Sequence, residues 1–75
     1  MLLIPGSFGS DVRKLQEDLN TVGVTVAVDG IYGAHTEKAV RTFQVANAID
    51  ADGKYGPITH ARMVELLAQP RSAAS

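Results

Sequence analysis

Three observations predict an all-α fold: a compact three-helix domain with long connecting loops and a repeated loop-helix unit. Three segments space their apolar residues as helices do. The wording D-G-x-Y-G-x-x-T occurs twice, as Asp29-Gly30-Ile31-Tyr32-Gly33-Ala34-His35-Thr36 and as Asp52-Gly53-Lys54-Tyr55-Gly56-Pro57-Ile58-Thr59, the second copy starting 23 residues after the first. Each copy runs into one of the helical segments, so the chain parses as a unit used twice. Its 75 residues suffice for one domain, residues 1–69, which buries only about 60% of its unfolded surface.

The first helix follows the turn cluster Gly6-Ser7-Phe8-Gly9-Ser10, where Gly9 or Ser10 caps it and Asp11 suits the helix dipole. It runs from Asp11 to Val22, with Val12, Leu15, Leu19 and Val22 on one stripe and Arg13, Lys14, Gln16, Glu17 and Asp18 covering the other faces. Gly23 stops it. Val24 to Val28 alternates and is β-branched, yet it has no clear partner strand. The segment is therefore expected as an extended connector with its valines on the helical core.

The second helix spans Ala34 to Ala46 and buries Ala39, Val40, Phe43 and Ala46, with Glu37 and Arg41 spaced for a surface pair. After a connector anchored by Ile49, Pro57 at the first helical position starts the third helix, because proline's missing N–H costs nothing there. Met63, Leu66 and Leu67 form its buried face, and it ends near Ala68 or Gln69. Aligning the two starts puts Gly33 and Gly56 at N-cap and Thr36 and Thr59 three residues in, where a hydroxyl can reach back to the cap amide. Pro70 to Ser75 reads as a linker or frayed tail.

Composition narrows the function. A net charge of −1 with scattered Lys and Arg gives no electrostatic footprint for nucleic acid or an anionic membrane. The absence of cysteine excludes a disulfide scaffold and thiol chemistry. Met1 to Gly6 is too short and too broken an apolar run for a signal peptide, and no segment is long enough to span a bilayer.

Catalysis by the chain alone is disfavoured. His35 and His60 fit no metalloprotease spacing, and no nucleophile elbow, P-loop or dinucleotide fingerprint occurs. Asp29 and Asp52 share one local context, whereas a general acid and base need environments that separate their pKa values. A calcium loop with Gly53 at its sixth position would lack ligands at its first and twelfth positions, which fall on Ala48 and Thr59. No cofactor or metal is expected, and the two aspartates are expected to hold their turns by bonding backbone amides.

Binding is the remaining class. Tyr32 and Tyr55 recur at one place in the two loops, each with an apolar face and a polar tip; the alternative is that they pack under the loops. Gln16 and Gln44 each follow a buried residue and either face a ligand or bond a nearby connector. Arg41 is either a contact or a solvated helix position.

In order, Gly6-x-x-Gly9-x-Asp11-Val12-x-x-Leu15-Gln16-x-x-Leu19, then Asp29-Gly30-x-Tyr32-Gly33-x-x-Thr36-x-x-Ala39-Val40-x-x-Phe43-Gln44, then Asp52-Gly53-x-Tyr55-Gly56-x-x-Thr59, resembles the three-helix peptidoglycan-binding domain family over Ile4 to Leu67. The resemblance implies a non-catalytic, monomeric module that binds peptidoglycan, by glycan or stem peptide, and concentrates a tethered wall hydrolase on its substrate. A phage endolysin released to the host wall fits the lack of a leader. Asp29, Gly30, Tyr32, Gly33, Arg41, Gln44, Asp52, Gly53, Lys54, Tyr55 and Gly56 are the ligand-binding positions it suggests.

Two departures bear on recognition. The family often has an aromatic where this chain has Val24, and there is no tryptophan. Sugar stacking is then left to Tyr32, Tyr55 and Phe8, with polar contacts from Arg41, Lys54 and loop amides toward stem-peptide carboxylates. The fold resemblance extends to metalloproteinase propeptides, which silence their enzymes with a cysteine that this chain lacks. A protein-docking adaptor, such as a phage structural component, is the other alternative.

Overall fold

A computed structural model describes residues 2–69, and the expected linker at Pro70 to Ser75 lies outside them. Three helices follow in order, α1 (Ser10–Thr21), α2 (Ala34–Ala46) and α3 (Pro57–Ala68). α1 is central and packs on both of the others. The apolar stripe predicted for it is buried at Val12, Leu15 and Leu19, and meets Val40 and Phe43 of α2 and Met63 of α3 in one core. Val22, Leu66 and Leu67 are only partly buried against that core. Ala46, expected inside, is exposed, because it is the last residue of α2 and the chain turns away there.

α1 and α2 end in the same way. Gly23 and Val24 donate their amides to the carbonyls of Asn20 and Leu19, and Ala48 and Ile49 donate theirs to Val45 and Gln44. This is a Schellman cap, which places the residue after the C-cap in the left-handed region. Gly23 meets that requirement at φ 97°, whereas the second unit uses Ala48 at φ 57°, a position where a Cβ costs about 1–2 kcal/mol.

The connector from Val24 to Val28 is extended and unpaired as a strand, with Val24 and Val26 packed on the core. Asn20 holds it in place: its side-chain amide donates to the Val26 carbonyl at 2.7 Å and its oxygen accepts from the Val26 amide at 3.1 Å.

Residues 2–9 form a clasp that no periodicity announces. Leu3 and Tyr55 exchange both backbone hydrogen bonds, at 2.9 and 2.8 Å. Farther along, Gly6 donates to the Tyr32 carbonyl, Tyr32 donates to Ser7, and Gly9 donates to Gly30, each at 2.9 Å. One short segment thus ties both D-G loops to the start of α1. Leu3 is buried, while Leu2, Ile4 and Phe8 remain exposed.

Candidate functional site

Each D-G loop is built on the glutamine of the helix before it. In the first unit Gln16 is fully buried. Its Nε2 donates to Asp29 Oδ1 at 2.9 Å, to the Ile31 carbonyl at 3.0 Å and to Thr36 Oγ1 at 3.0 Å. Its Oε1 accepts from the amides of Asp29 and Gly30. In the second unit Gln44 Nε2 donates to Asp52 Oδ1 at 3.0 Å, to the Lys54 carbonyl at 2.9 Å and to Thr59 Oγ1 at 3.1 Å, and Oε1 accepts from the Gly53 amide. An amide nitrogen carries two hydrogens, so one is shared in each cluster. The two networks use equivalent residues, except that the Asp29 amide also reaches Gln16 Oε1 whereas the Asp52 amide donates to the Asp50 carbonyl.

This geometry changes the expected role of the threonines. Neither Gly33 nor Gly56 receives a side-chain cap. Thr36 and Thr59 are buried and turn their hydroxyls to the preceding helix's glutamine, satisfying its amide in place of the N-cap's. The aspartates do hold their turns: Asp29 Oδ1 accepts the Ile31 amide and Asp52 Oδ1 accepts the Lys54 amide. Those backbone bonds, and next the glutamine amides, hold both carboxyls below the ordinary carboxylate pKa by favouring the charged form.

The tyrosines lie under the loops. Tyr32 is 1% and Tyr55 2% exposed, so neither ring offers a face to a sugar, and stacking through them is corrected by their burial. The Tyr32 hydroxyl donates to the Gly53 carbonyl, linking the first loop to the second. The Tyr55 hydroxyl meets His60 Nδ1 at 3.1 Å, with the imidazole edge-on to the ring. Burial pushes both phenols well above the usual tyrosine pKa.

Of the residues the sequence suggested, Tyr32, Tyr55, Gln44, Gly30 and Gly53 are therefore inside, and Gly33 and Gly56 are half-buried N-caps. Gly53 combines φ 76° with a crowded site, where an added Cβ would lie 2.8 Å from Glu37 Cγ and 3.0 Å from Arg41 Nε. Asp29, Asp52, Lys54 and Arg41 reach the surface. Arg41 is partly committed, donating to the Ala51 carbonyl at 3.2 Å and pairing with Glu37 at 3.4 Å.

Among the described residues, three concavities beside these loops bear on the expected site. Two occupy equivalent places: one is lined by Asp29, Ile31, Gly33 and Thr36, the other by Asp52, Lys54, Gly56 and Thr59. The third and largest, about 420 Å³, lies between Gly23 to Ala27 and the α2 residues His35, Lys38, Ala39 and Thr42. None of these residues was singled out for binding in the sequence. The alternation of Val24 and Val26 was the available signal for an extended edge, but nothing in it named the facing helix.

The chain and its fold have known counterparts. Residues 8–63 match the family described as "Putative peptidoglycan binding domain". The chain belongs to this family. Among curated members, the zinc D-Ala-D-Ala carboxypeptidase of Streptomyces albus G is 39% identical over 67 residues, covering 85% of this chain and 26% of that protein. Among solved structures, the Burkholderia AP3 phage endolysin superposes with a TM-score of 0.85 at 37% identity, over 95% of this chain and 27% of that one. The SleB N-terminal domain gives 0.83 at 34% identity, over 88% of this chain and 92% of that one. The chain spans only 11% to 26% of the length of the curated relatives it matches, so this peptidoglycan-binding domain corresponds to one part of larger enzymes.

Proposed function

We propose that the chain is a non-catalytic module that holds peptidoglycan and so keeps an attached wall hydrolase, such as a phage endolysin, on its substrate at the bacterial cell wall. The observation that carries this is the family match across residues 8–63. The interior agrees with it: among the described residues every buried side-chain nitrogen and oxygen has a partner, and the buried glutamines, threonines and tyrosines are consumed in shaping loops. Ligand contact then belongs to what the loops and α2 display, with Lys54, Arg41 and the outer faces of Asp29 and Asp52 contributing from the expected set. Gly30, Gly33, Gly53 and Gly56 contribute as backbone, and Tyr32, Tyr55 and Gln44 support that surface from beneath. Weak binding is sufficient, since a tethered enzyme works at an effective concentration set by its linker.

Co-sedimentation with purified, protein-free sacculi tests the proposal. The chain is expected in the insoluble fraction and in the supernatant when sacculi are omitted. Equal recovery in the supernatant with and without sacculi overturns wall binding and favours a protein-docking module.

A further inference from the structure

The groove between Gly23 to Ala27 and α2 has features that the loop architecture does not require. Comparing the two units shows this. From glutamine to aspartate the first unit takes 13 residues and the second 8, yet both close the same network. Of the five extra residues, three prolong α1 beyond the glutamine and two lengthen the connector after the Schellman cap. Loop closure is complete without them in the second unit. In the first they carry the connector alongside α2 and form one wall of the largest concavity.

That wall is rigid on one edge and open on the other. Val24 and Val26 turn their backbone groups toward α1, where Leu19 and Asn20 bind them. Thr25 and Ala27 alternate with them, are exposed, and make no hydrogen bond among the described residues. An extended segment with free outward N–H and C=O groups is the surface on which extended peptides are bound. Across the groove, Lys38 is the single charged lining residue and has no ion pair among the described residues; His35 and Thr42 add polar groups. Val26, Ala27 and His35 also line the smaller cleft that holds Asp29, so the two cavities adjoin. No phenylalanine, tyrosine or tryptophan lines either cavity, and the imidazole of His35 is polar, so a sugar would have no flat apolar face to rest on.

We propose, building on the wall-binding reading, that this groove takes the stem peptide of peptidoglycan in an extended form. Its carboxylates lie toward Lys38, its amides meet the backbone of Thr25 and Ala27, and a free side-chain amine falls toward Asp29. The stem peptide is anionic, short and extended, and it matches a groove with one cation on its wall. Its γ-linkage and mixed chirality preclude a regular strand ladder, so the contacts are separate hydrogen bonds from two residues held in place by Asn20.

The test titrates isotope-labelled protein with two soluble probes, the tetrapeptide L-Ala-γ-D-Glu-meso-diaminopimelyl-D-Ala and tetra-N-acetylchitotetraose, and runs sacculus co-sedimentation alongside. The tetrapeptide is expected to shift the amide signals of Thr25, Ala27 and Lys38, and the sugar to leave them in place. Lys38→Ala is expected to weaken tetrapeptide binding about tenfold, the scale of one charge-assisted hydrogen bond, while Lys14→Ala binds as the parent does. Shifts confined to the second loop, a response to the sugar alone, or Lys38→Ala binding like the parent overturns the groove assignment. If sacculi retain the chain in that case, wall binding stands and only the assignment falls. If sacculi do not retain it, wall binding itself has failed.

Discussion

Replacing Gln44 by alanine tests whether the glutamine is the organising group of its loop. The side chain is 1% exposed, and truncation strands the buried Gly53 amide and the buried Thr59 hydroxyl, which it now satisfies at 3.0 and 3.1 Å. Each stranded group costs about 1–3 kcal/mol, giving about 4 kcal/mol for the pair. A domain of this length has a total stability of only about 4–11 kcal/mol, so Gln44→Ala removes a third or more of it. At about 4–8 °C per kcal/mol, the melting temperature falls by at least about 15 °C. Urea denaturation and thermal melting, both followed by far-UV circular dichroism, measure the loss. Gln16→Ala is expected to be as severe, since it strands the amides of Asp29 and Gly30. A loss below about 1 kcal/mol for Gln44→Ala would mean that the Asp52 turn closes its loop unaided, and the reasoning fails.

Two further outcomes follow from the loops and caps. Because the folded pKa values of Asp29 and Asp52 lie below their ordinary ones, the stability they contribute is complete above the unfolded-state pKa of about 3.9 and is lost as pH falls through the folded values. Denaturation midpoints should therefore be level near neutrality and drop on acidification below about pH 4, with a shallower drop in an Asp29→Asn, Asp52→Asn double variant; identical acid limbs would contradict the assignment. Ala48→Gly should raise stability by about 0.5–1 kcal/mol by relieving the left-handed backbone, read from the urea midpoint, while Gly23→Ala should lower it by a similar amount.

The helices were legible in the sequence because each carries its own punctuation: Gly9 before α1, Gly33 before α2, and Gly56-Pro57 before α3. The repeated wording also marked the two loops. What the wording could not tell was direction, since Tyr32 serves equally well above a loop or below it. Its burial is decided by the distant Gly53 carbonyl that its hydroxyl reaches. The clasp was illegible for a related reason. Leu3 looks like part of a short apolar run until Tyr55 is placed beside it, and backbone pairing leaves no side-chain period to read. Likewise the facing wall of the peptide groove lies on α2, where Lys38 reads as one more solvated helix position.

The clasp also has a bearing on how the chain acquires its fold. Leu3 pairs with Tyr55, so the contact spans most of the domain and cannot form on the ribosome until the second loop has emerged. Long-range pairing of this kind delays closure relative to local helix formation. α1, the first loop and α2 are complete in sequence before that contact can close, and Leu15 and Leu19 have Val40 and Phe43 to pack against in the meantime. A later-made loop thus locks an earlier-made segment, and the clasp closes after the local helices can form.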